Sequence, residues 1–105
     1  MSQIAFVVKL TAAEGKRDEA LAALGKLVDA TATESGTLQY VLHTEKDDPD
    51  VIWFYELYAD QQAFEAHTAS PTMAEVMGSL GGLLSGPADM RQLDIVTRKG
   101  EAEAG

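Results

Sequence analysis

The sequence contains no cysteine, and this absence removes several classes of chemistry at once. Without thiols the chain cannot form a disulfide, bind a metal through thiolate or use a thiol nucleophile. Basic residues are also scarce, because eight lysines and arginines stand against seventeen acidic residues and leave a formal net charge of −9 at pH 7. A surface of that sign repels phosphate backbones and anionic lipids, so neither nucleic-acid binding nor membrane binding is expected.

Long hydrophobic runs are missing as well. No apolar stretch approaches the roughly 20 residues that a membrane-spanning helix needs, and the first residues show no basic segment followed by an apolar one. A cytoplasmic protein is therefore expected. The 105 residues are enough for one domain, predicted over residues 1–98, with a disordered tail over residues 99–105.

What is present is an alternation of apolar strand-like and helix-like segments. Runs of β-branched and aromatic residues predict strands over residues 4–10, 37–45, 51–58 and 90–98. Apolar residues at helical spacing predict helices over residues 16–34, 61–68 and 71–84. The order β-α-β-β-α-α-β indicates an α+β fold of the ferredoxin-like split β-α-β type.

Turn chemistry adds detail to this outline. Residues 46–50 (KDDPD) predict a five-residue loop, which would pair Tyr40 with Glu56 and Glu45 with Val51 in a hairpin. Gly36 is interpreted as the stop of the first helix. A glycine inside a helix costs about 1 kcal/mol relative to alanine, so Gly25 is interpreted as making room for a close neighbour. The glycines between residues 78 and 86 predict fraying at the end of the third helix.

The predicted hairpin has two different faces. The first carries an acidic residue among apolar ones: Leu38, Tyr40, Leu42, Ile52, Phe54, Glu56 and Tyr58. Helices can cover only one face of such a sheet, yet the other face is also apolar, with Val51, Trp53, Tyr55, Leu57, Leu93 and Ile95. A bare apolar face of this size indicates a partner, and a homodimer formed through the sheet face is the simplest one.

The stretch from residue 51 to residue 71 brings a histidine toward a carboxylate. Asp60 and Ser70 are predicted to cap the two short helices, with Pro71 at the first position of the second one. A helix that folds back over the strand it follows would place His67 above Glu56. Burial of Glu56 on an apolar face would raise the pKa of its carboxyl group.

These residues also resemble a known family. The pattern Glu34-x-Gly36-x-x-x-Tyr40, the acidic hairpin loop, Phe54-Tyr55-Glu56-x-Tyr58, Ala63, Ala66-His67 and Ala69-Ser70-Pro71 is similar to that of the antibiotic biosynthesis monooxygenase domains. The resemblance covers about residues 3–97. It implies a dimeric α+β barrel, with a cavity between each sheet and its helices. The family includes cofactor-independent oxygenases of quinols and anthrones, haem-degrading enzymes and a quorum-signal isomerase.

Departures from the family patterns narrow this range. The haem-degrading branch has asparagine, tryptophan and histidine where this chain has Val8, His67 and Met77, so neither haem nor any other cofactor is expected. The aromatic-polyketide oxygenases commonly have tryptophan in place of Tyr58. The chain therefore most resembles the quinol-monooxygenase-like subgroup.

A mechanism without a cofactor is consistent with this resemblance. A deprotonated hydroquinone can itself pass an electron to O₂, so the protein needs a base, oxyanion donors and a dry cavity. His67 is the predicted base and Glu56 its orienting or proton-relaying partner. The predicted substrate-binding residues are Tyr40, Phe54, Tyr58, Phe64, Met73 and Met77. No metal site is expected, because the two histidines, His43 and His67, lie far apart in the predicted fold.

Other roles for the same residues stay open. His67 could be a core histidine, Glu56 a purely structural tie, and the methionines simply core. Three functions are therefore consistent with the sequence. The first is a cofactor-independent monooxygenase of quinol- or anthrone-like small molecules, the second an isomerase or other proton-transfer enzyme, and the third a non-catalytic small-molecule binder.

Overall fold

Four segments form one antiparallel sheet, and the first three are rich in β-branched and aromatic residues. The structure, a computed structural model, describes residues 2–100. Its strands are β1 (Ile4–Thr11), β2 (Thr37–Glu45), β3 (Asp48–Tyr58) and β4 (Asp89–Leu93). Their spatial order is β2-β3-β1-β4. This order is that of a ferredoxin-like fold, so the predicted fold class is confirmed.

Three α-helices pack against the sheet. They are α1 (Arg17–Ala30), which continues into a 3₁₀ turn (Thr31–Thr33), α2 (Gln61–Thr68) and α3 (Pro71–Ser79). The Asp60 side chain accepts a hydrogen bond from the Ala63 amide at 2.8 Å, which confirms Asp60 as the cap of α2. The Ser70 side chain likewise caps α3. Within residues 2–100, no helix is both long enough and apolar enough to cross a membrane.

The core lies between the helices and one face of the sheet. Alternate residues of β1 and β3 point into it, and α1 and α3 close it with small and branched aliphatic side chains. The most buried members are Ala20, Leu24, Ile52, Tyr58 and Val76. Helix α1 buries Ala20, Ala23, Leu24 and Leu27, in keeping with the helical spacing of its apolar residues.

The hairpin between β2 and β3 is tighter than predicted. Tyr40 pairs with Glu56 as expected, but Glu45 pairs with Asp48 rather than with Val51. The predicted five-residue loop is wrong. The pairing shifts after Thr44, so the two strands continue into the predicted loop and only a two-residue turn remains. Such irregularities accommodate extra residues at the end of a hairpin, where a proline is also tolerated.

Two other predicted elements end early. Helix α3 stops at Ser79 and is followed by a turn over residues 81–83 and a bridge between Ala12 and Leu84, so the predicted helix to residue 84 is too long. Strand β4 ends at Leu93, which pairs with Ala5 near the start of β1. Ile95 lies beyond this end and does not join the sheet. In the predicted tail, residues 99 and 100 form a turn, and residues 101–105 lie outside the described part.

Among residues 2–100, no helix packs on the second face of the sheet, although Val51 and Leu57, predicted to be bare there, are only 7 % and 4 % exposed. This face includes the half-buried rings of Trp53 and Tyr55, together with Val41 and Leu93, which are each 41 % exposed. A second irregularity in β2 leaves Leu38 44 % exposed. Leu38 was predicted on the core face and does not lie there. Gly25 also differs from its interpretation, because a Cβ added there would meet no atom within 4 Å.

Candidate functional site

The buried imidazole of His67 is held by a carboxylate that the sequence analysis did not assign. His67 is 2 % exposed on α2, and its Nδ1 lies 2.7 Å from Oε1 of Glu34. The same carboxylate oxygen accepts a hydrogen bond from Thr37 Oγ1 at 2.9 Å. Glu34 follows the 3₁₀ turn after α1, so three parts of the chain meet at this oxygen.

This contact determines which nitrogen of the imidazole carries the hydrogen. An ionised carboxylate can only accept hydrogen bonds, so Nδ1 of His67 carries the hydrogen and donates it to Glu34. A neutral imidazole then presents a lone pair on Nε2. That atom is buried, and among residues 2–100 no hydrogen-bond partner reaches it. An unpaired buried polar atom costs about 1–3 kcal/mol, which marks Nε2 as a position for a ligand proton.

A close approach between Gly36 and Ala63 brings Glu34 to the histidine. A Cβ on Gly36 would lie 2.4 Å from the Cβ of Ala63, so only glycine lets α2 pack this close to the start of β2. The Ala59 amide donates to the Gly36 carbonyl at 2.8 Å and secures the same contact. Gly36 therefore makes room for α2 and does not end α1, which already stops at Ala30.

Aromatic rings surround the imidazole on the inner side. The ring centroids of Tyr40 and Tyr58 lie 4.8 and 5.5 Å from that of His67. Phe54 packs against Tyr40 at 4.8 Å, and Phe64 packs against Tyr58 at 5.3 Å. The structure thus brings together four of the predicted substrate-binding residues around His67.

Glu56 has a different partner from the predicted one. Its Oε1 accepts a hydrogen bond from the hydroxyl group of Tyr58 at 2.6 Å, since residues two apart on a strand share a face. Glu56 and His67 are near enough to interact electrostatically, but no hydrogen bond joins them. The structure therefore places Glu34, and not Glu56, in hydrogen-bond contact with the imidazole, and a proton-relaying role of Glu56 stays a prediction.

Burial controls the charge of these groups. It raises the pKa of the Glu56 carboxyl group, while the Tyr58 hydrogen bond and the nearby His67 act in the opposite direction. Burial also raises the pKa of Tyr40 and of Tyr58, and the charge of Glu56 adds to both shifts. Both phenols therefore keep their protons and remain hydrogen-bond donors across the physiological pH range.

The remaining predicted residues divide between core and surface. Met73 is partly buried and packs against the hydrophobic core. Met77 is 57 % exposed, because α3 turns Met73, Val76 and Leu80 inward. The structure therefore does not bring Met77 to His67, contrary to its predicted place in the cavity wall. His43 is exposed on β2, with its Nδ1 3.0 Å from the Trp53 carbonyl oxygen.

The arrangement is suited to moving a proton in an apolar setting. A carboxylate fixes one nitrogen of an imidazole, the other nitrogen is free, and two phenol donors stand beside it. The sequence contained one signal for the missed carboxylate, since Glu34 belongs to the Glu34-x-Gly36 pattern. Within residues 2–100, no three histidine or acidic side chains converge as metal ligands would.

Comparison with known proteins agrees with the fold. A Pseudomonas aeruginosa protein of known structure superposes with a TM-score of 0.86 at 25 % identity, covering 92 % of this chain and 97 % of its own. A Caulobacter crescentus protein, provisionally described as an antibiotic biosynthesis monooxygenase, gives a TM-score of 0.86 at 26 % identity. The match covers 91 % of this chain and 92 % of the Caulobacter chain. No curated protein matches the sequence.

A family model provides the decisive match. The model described as antibiotic biosynthesis monooxygenase matches residues 3–78, a range that includes every residue of the cluster around His67. This range is well over half of the chain and extends from β1 to α3. The chain belongs to the antibiotic biosynthesis monooxygenase family.

Proposed function

We propose that this protein is a cofactor-independent monooxygenase that oxidises quinol- or anthrone-like aromatic molecules, with His67 as the general base. The observation that carries the proposal is the buried Nε2 of His67, which has no partner among residues 2–100, while Glu34 holds Nδ1. Membership of the antibiotic biosynthesis monooxygenase family supports the reaction class.

The substrate supplies all the electrons that reduce O₂ in this reaction. His67 Nε2 takes a phenolic proton, and the phenolate passes one electron to O₂. The two radicals combine through a new C–O bond, and proton uptake yields a hydroperoxide on a ring carbon that still carries hydrogen. Loss of water from that carbon breaks the O–O bond and leaves a carbonyl group. One O₂ is consumed per substrate, one oxygen atom is retained and the other leaves as water.

The other residues of the cluster assist the transfer. Glu34 acts as a positioning residue, because its carboxylate keeps Nδ1 protonated and so keeps the lone pair on Nε2. Tyr40 is the nearer phenol donor for a developing oxyanion, since the hydroxyl of Tyr58 is already committed to Glu56. Phe54 and Phe64 provide the apolar surroundings that exclude water.

The proposal includes a homodimer formed through the helix-free face of the sheet. That face presents Trp53, Tyr55, Val41 and Leu93 to solvent in the single chain. Pairing two such faces would remove apolar surface from water, at about 25 cal/mol for each Å² buried. The helices and the His67 cluster would remain on the outer sides of the two sheets.

Oxygen uptake tests the function directly. We expect 1,4-naphthohydroquinone with ¹⁸O₂ to give protein-dependent uptake of one O₂ per substrate and a hydroxyquinone carrying one ¹⁸O atom. His67→Ala should lower the rate by about 10²-fold or more, the usual range for loss of a general base. His43→Ala, which removes the exposed histidine, should retain the rate.

Two results would contradict the proposal. One is the absence of protein-dependent oxygen uptake with every hydroquinone and anthrone tried. The other is a folded His67→Ala variant that oxidises the active substrates as fast as the wild type. Conversion of a substrate without oxygen uptake would instead indicate a proton-transfer enzyme that uses the same His67 and Glu34.

A further inference from the structure

A groove runs along the outside of the molecule between α1 and β2. Its volume is about 470 Å³, within the roughly 300–1,000 Å³ of typical small-molecule sites. Apolar side chains form its walls, chiefly Leu21, Val28 and Leu42. Lys26 and Asp29 also line it and carry opposite charges, so the groove has no net charge of its own.

Gly25 opens the middle of this groove. It lies within α1 and lines the groove, and a Cβ added there would meet no atom within 4 Å. Packing therefore does not require a glycine, although glycine costs about 1 kcal/mol relative to alanine inside a helix. Any larger residue at this position would project toward the space that the groove encloses.

Tyr40 connects the groove to the buried histidine. Tyr40 lines the groove, and its ring is packed 4.8 Å from the imidazole of His67, centroid to centroid. A molecule in the groove would therefore contact a residue that also contacts His67.

From these three observations we infer that the groove binds the non-reacting part of an uncharged, planar aromatic substrate, with Gly25 as the residue that determines its size. The substrate class rests on the proposed function. Aliphatic walls accept the faces of a flat ring, and Tyr40 adds an aromatic residue to the lining. A neutral molecule is favoured because the charges of Lys26 and Asp29 in the lining offset each other, and the net charge of −9 disfavours anions.

Binding of 2-naphthol, a neutral planar phenol that is not a quinol, tests the inference without turnover. In the full chain, we expect saturable changes in the amide resonances of residues 21–29 and 40–42. Gly25→Leu should weaken this binding by at least about 10-fold, because the leucine occupies the groove. Gly78→Leu is the matched control, since Gly78 also lies in a helix with no atom within 4 Å of an added Cβ and does not line the groove.

Several outcomes would overturn the groove as a substrate site. They are equal affinity of Gly25→Leu and wild type, resonance changes confined to the helix-free sheet face, and a change of oligomeric state in Gly25→Leu, which would make the groove a contact between copies.

The two proposals fail separately. If Gly25→Leu loses 2-naphthol binding but no hydroquinone consumes oxygen, only the oxygenase proposal fails. If wild type consumes oxygen and Gly25→Leu has an unchanged KM, only the groove fails.

Discussion

Nδ1 of His67 lies 2.7 Å from the carboxylate of Glu34, although 33 residues separate the two in the chain. Glu34 is 20 % exposed in its side chain while His67 is 2 % exposed, so the pair connects the surface to the interior. The pair accounts for the orientation of the imidazole, and the free Nε2 follows from it. The first prediction therefore concerns Glu34.

Glu34→Gln should lower kcat with little change in KM. The glutamine oxygen can still accept the Nδ1 hydrogen, but the negative charge that stabilises a protonated imidazole is gone. We expect a loss of about 10-fold, smaller than the loss in His67→Ala, and a larger loss in Glu34→Ala, which removes the acceptor as well. Steady-state oxygen uptake measures both constants. Equal kcat in wild type and in folded Glu34→Ala would show that the pair is structural only.

Gly36→Ala should destabilise the protein through a clash with α2. The added Cβ would lie 2.4 Å from that of Ala63, so α2 must move, at a typical cost of about 1–3 kcal/mol. Gly86→Ala is the control, because an added Cβ there meets nothing within 4 Å. Urea unfolding provides the free energies. In Gly36→Ala/Ala63→Gly the loss should be smaller than the sum of the single losses, and strict additivity would contradict the close approach.

Glu56 should make stability depend on pH. Its pKa is raised by burial above the ordinary value of 4.5, so the folded state binds the proton more tightly than the unfolded state. The resulting stability is fully present below pH 4.5 and is lost as the pH rises through the pKa of the folded state. Glu56→Gln removes this loss. The free energy of unfolding of Glu56→Gln should therefore rise relative to that of the wild type as the pH increases above 4.5.

Tyr58→Phe provides a second test of the same pair. It removes the hydroxyl that donates to Glu56 at 2.6 Å, at a cost of about 1–3 kcal/mol near neutral pH. Because that hydrogen bond lowers the pKa of Glu56, its removal should extend the pH-dependent loss to higher pH. The free energy of unfolding should be measured between pH 4.5 and 8 for wild type, Glu56→Gln and Tyr58→Phe. Both expectations are wrong if it changes with pH by the same amount in all three proteins.

Asp60→Ala should weaken the start of the helix that carries His67. The Asp60 carboxylate accepts from the Ala63 amide at 2.8 Å, and loss of such a cap typically costs about 1 kcal/mol. Asp60→Asn keeps a side-chain acceptor and should remain close to wild type. The urea midpoint at an unchanged m-value measures the difference. Equal midpoints for alanine and asparagine would show that the cap contributes nothing.

Trp53→Glu should prevent dimer formation. Trp53 is half-buried on the helix-free sheet face, where its Nε1 donates to Glu45 and Lys9 lies above its ring. A carboxylate at the centre of an apolar interface would be costly to desolvate. Met77→Glu is the matched control, because Met77 is exposed on α3 away from that face. Light scattering should give a dimer for wild type and the control; a folded wild-type monomer at micromolar concentration would refute the dimer.

The sequence alone determined the features that depend on neighbouring residues. The turn composition of residues 46–50 predicted the correct pairing of Tyr40 with Glu56, although the turn itself is shorter, because the irregularity after Thr44 accommodates the extra residues. The caps at Asp60 and Ser70 followed from the backbone chemistry of a helix start, which is equally local. These features were enough to predict the ferredoxin-like order and to put His67 among aromatic rings.

Tertiary packing alone decided the partner of His67. Local rules place Glu56 beneath the helix, but they do not state which of two nearby carboxylates faces the imidazole. That choice depends on how closely α2 packs on the start of β2, which Gly36 and Ala63 set across 27 residues of chain. The tight hairpin was likewise decided by pairing between whole strands. Contacts between distant segments reflect the angles and distances at which whole elements pack, and no single segment encodes those.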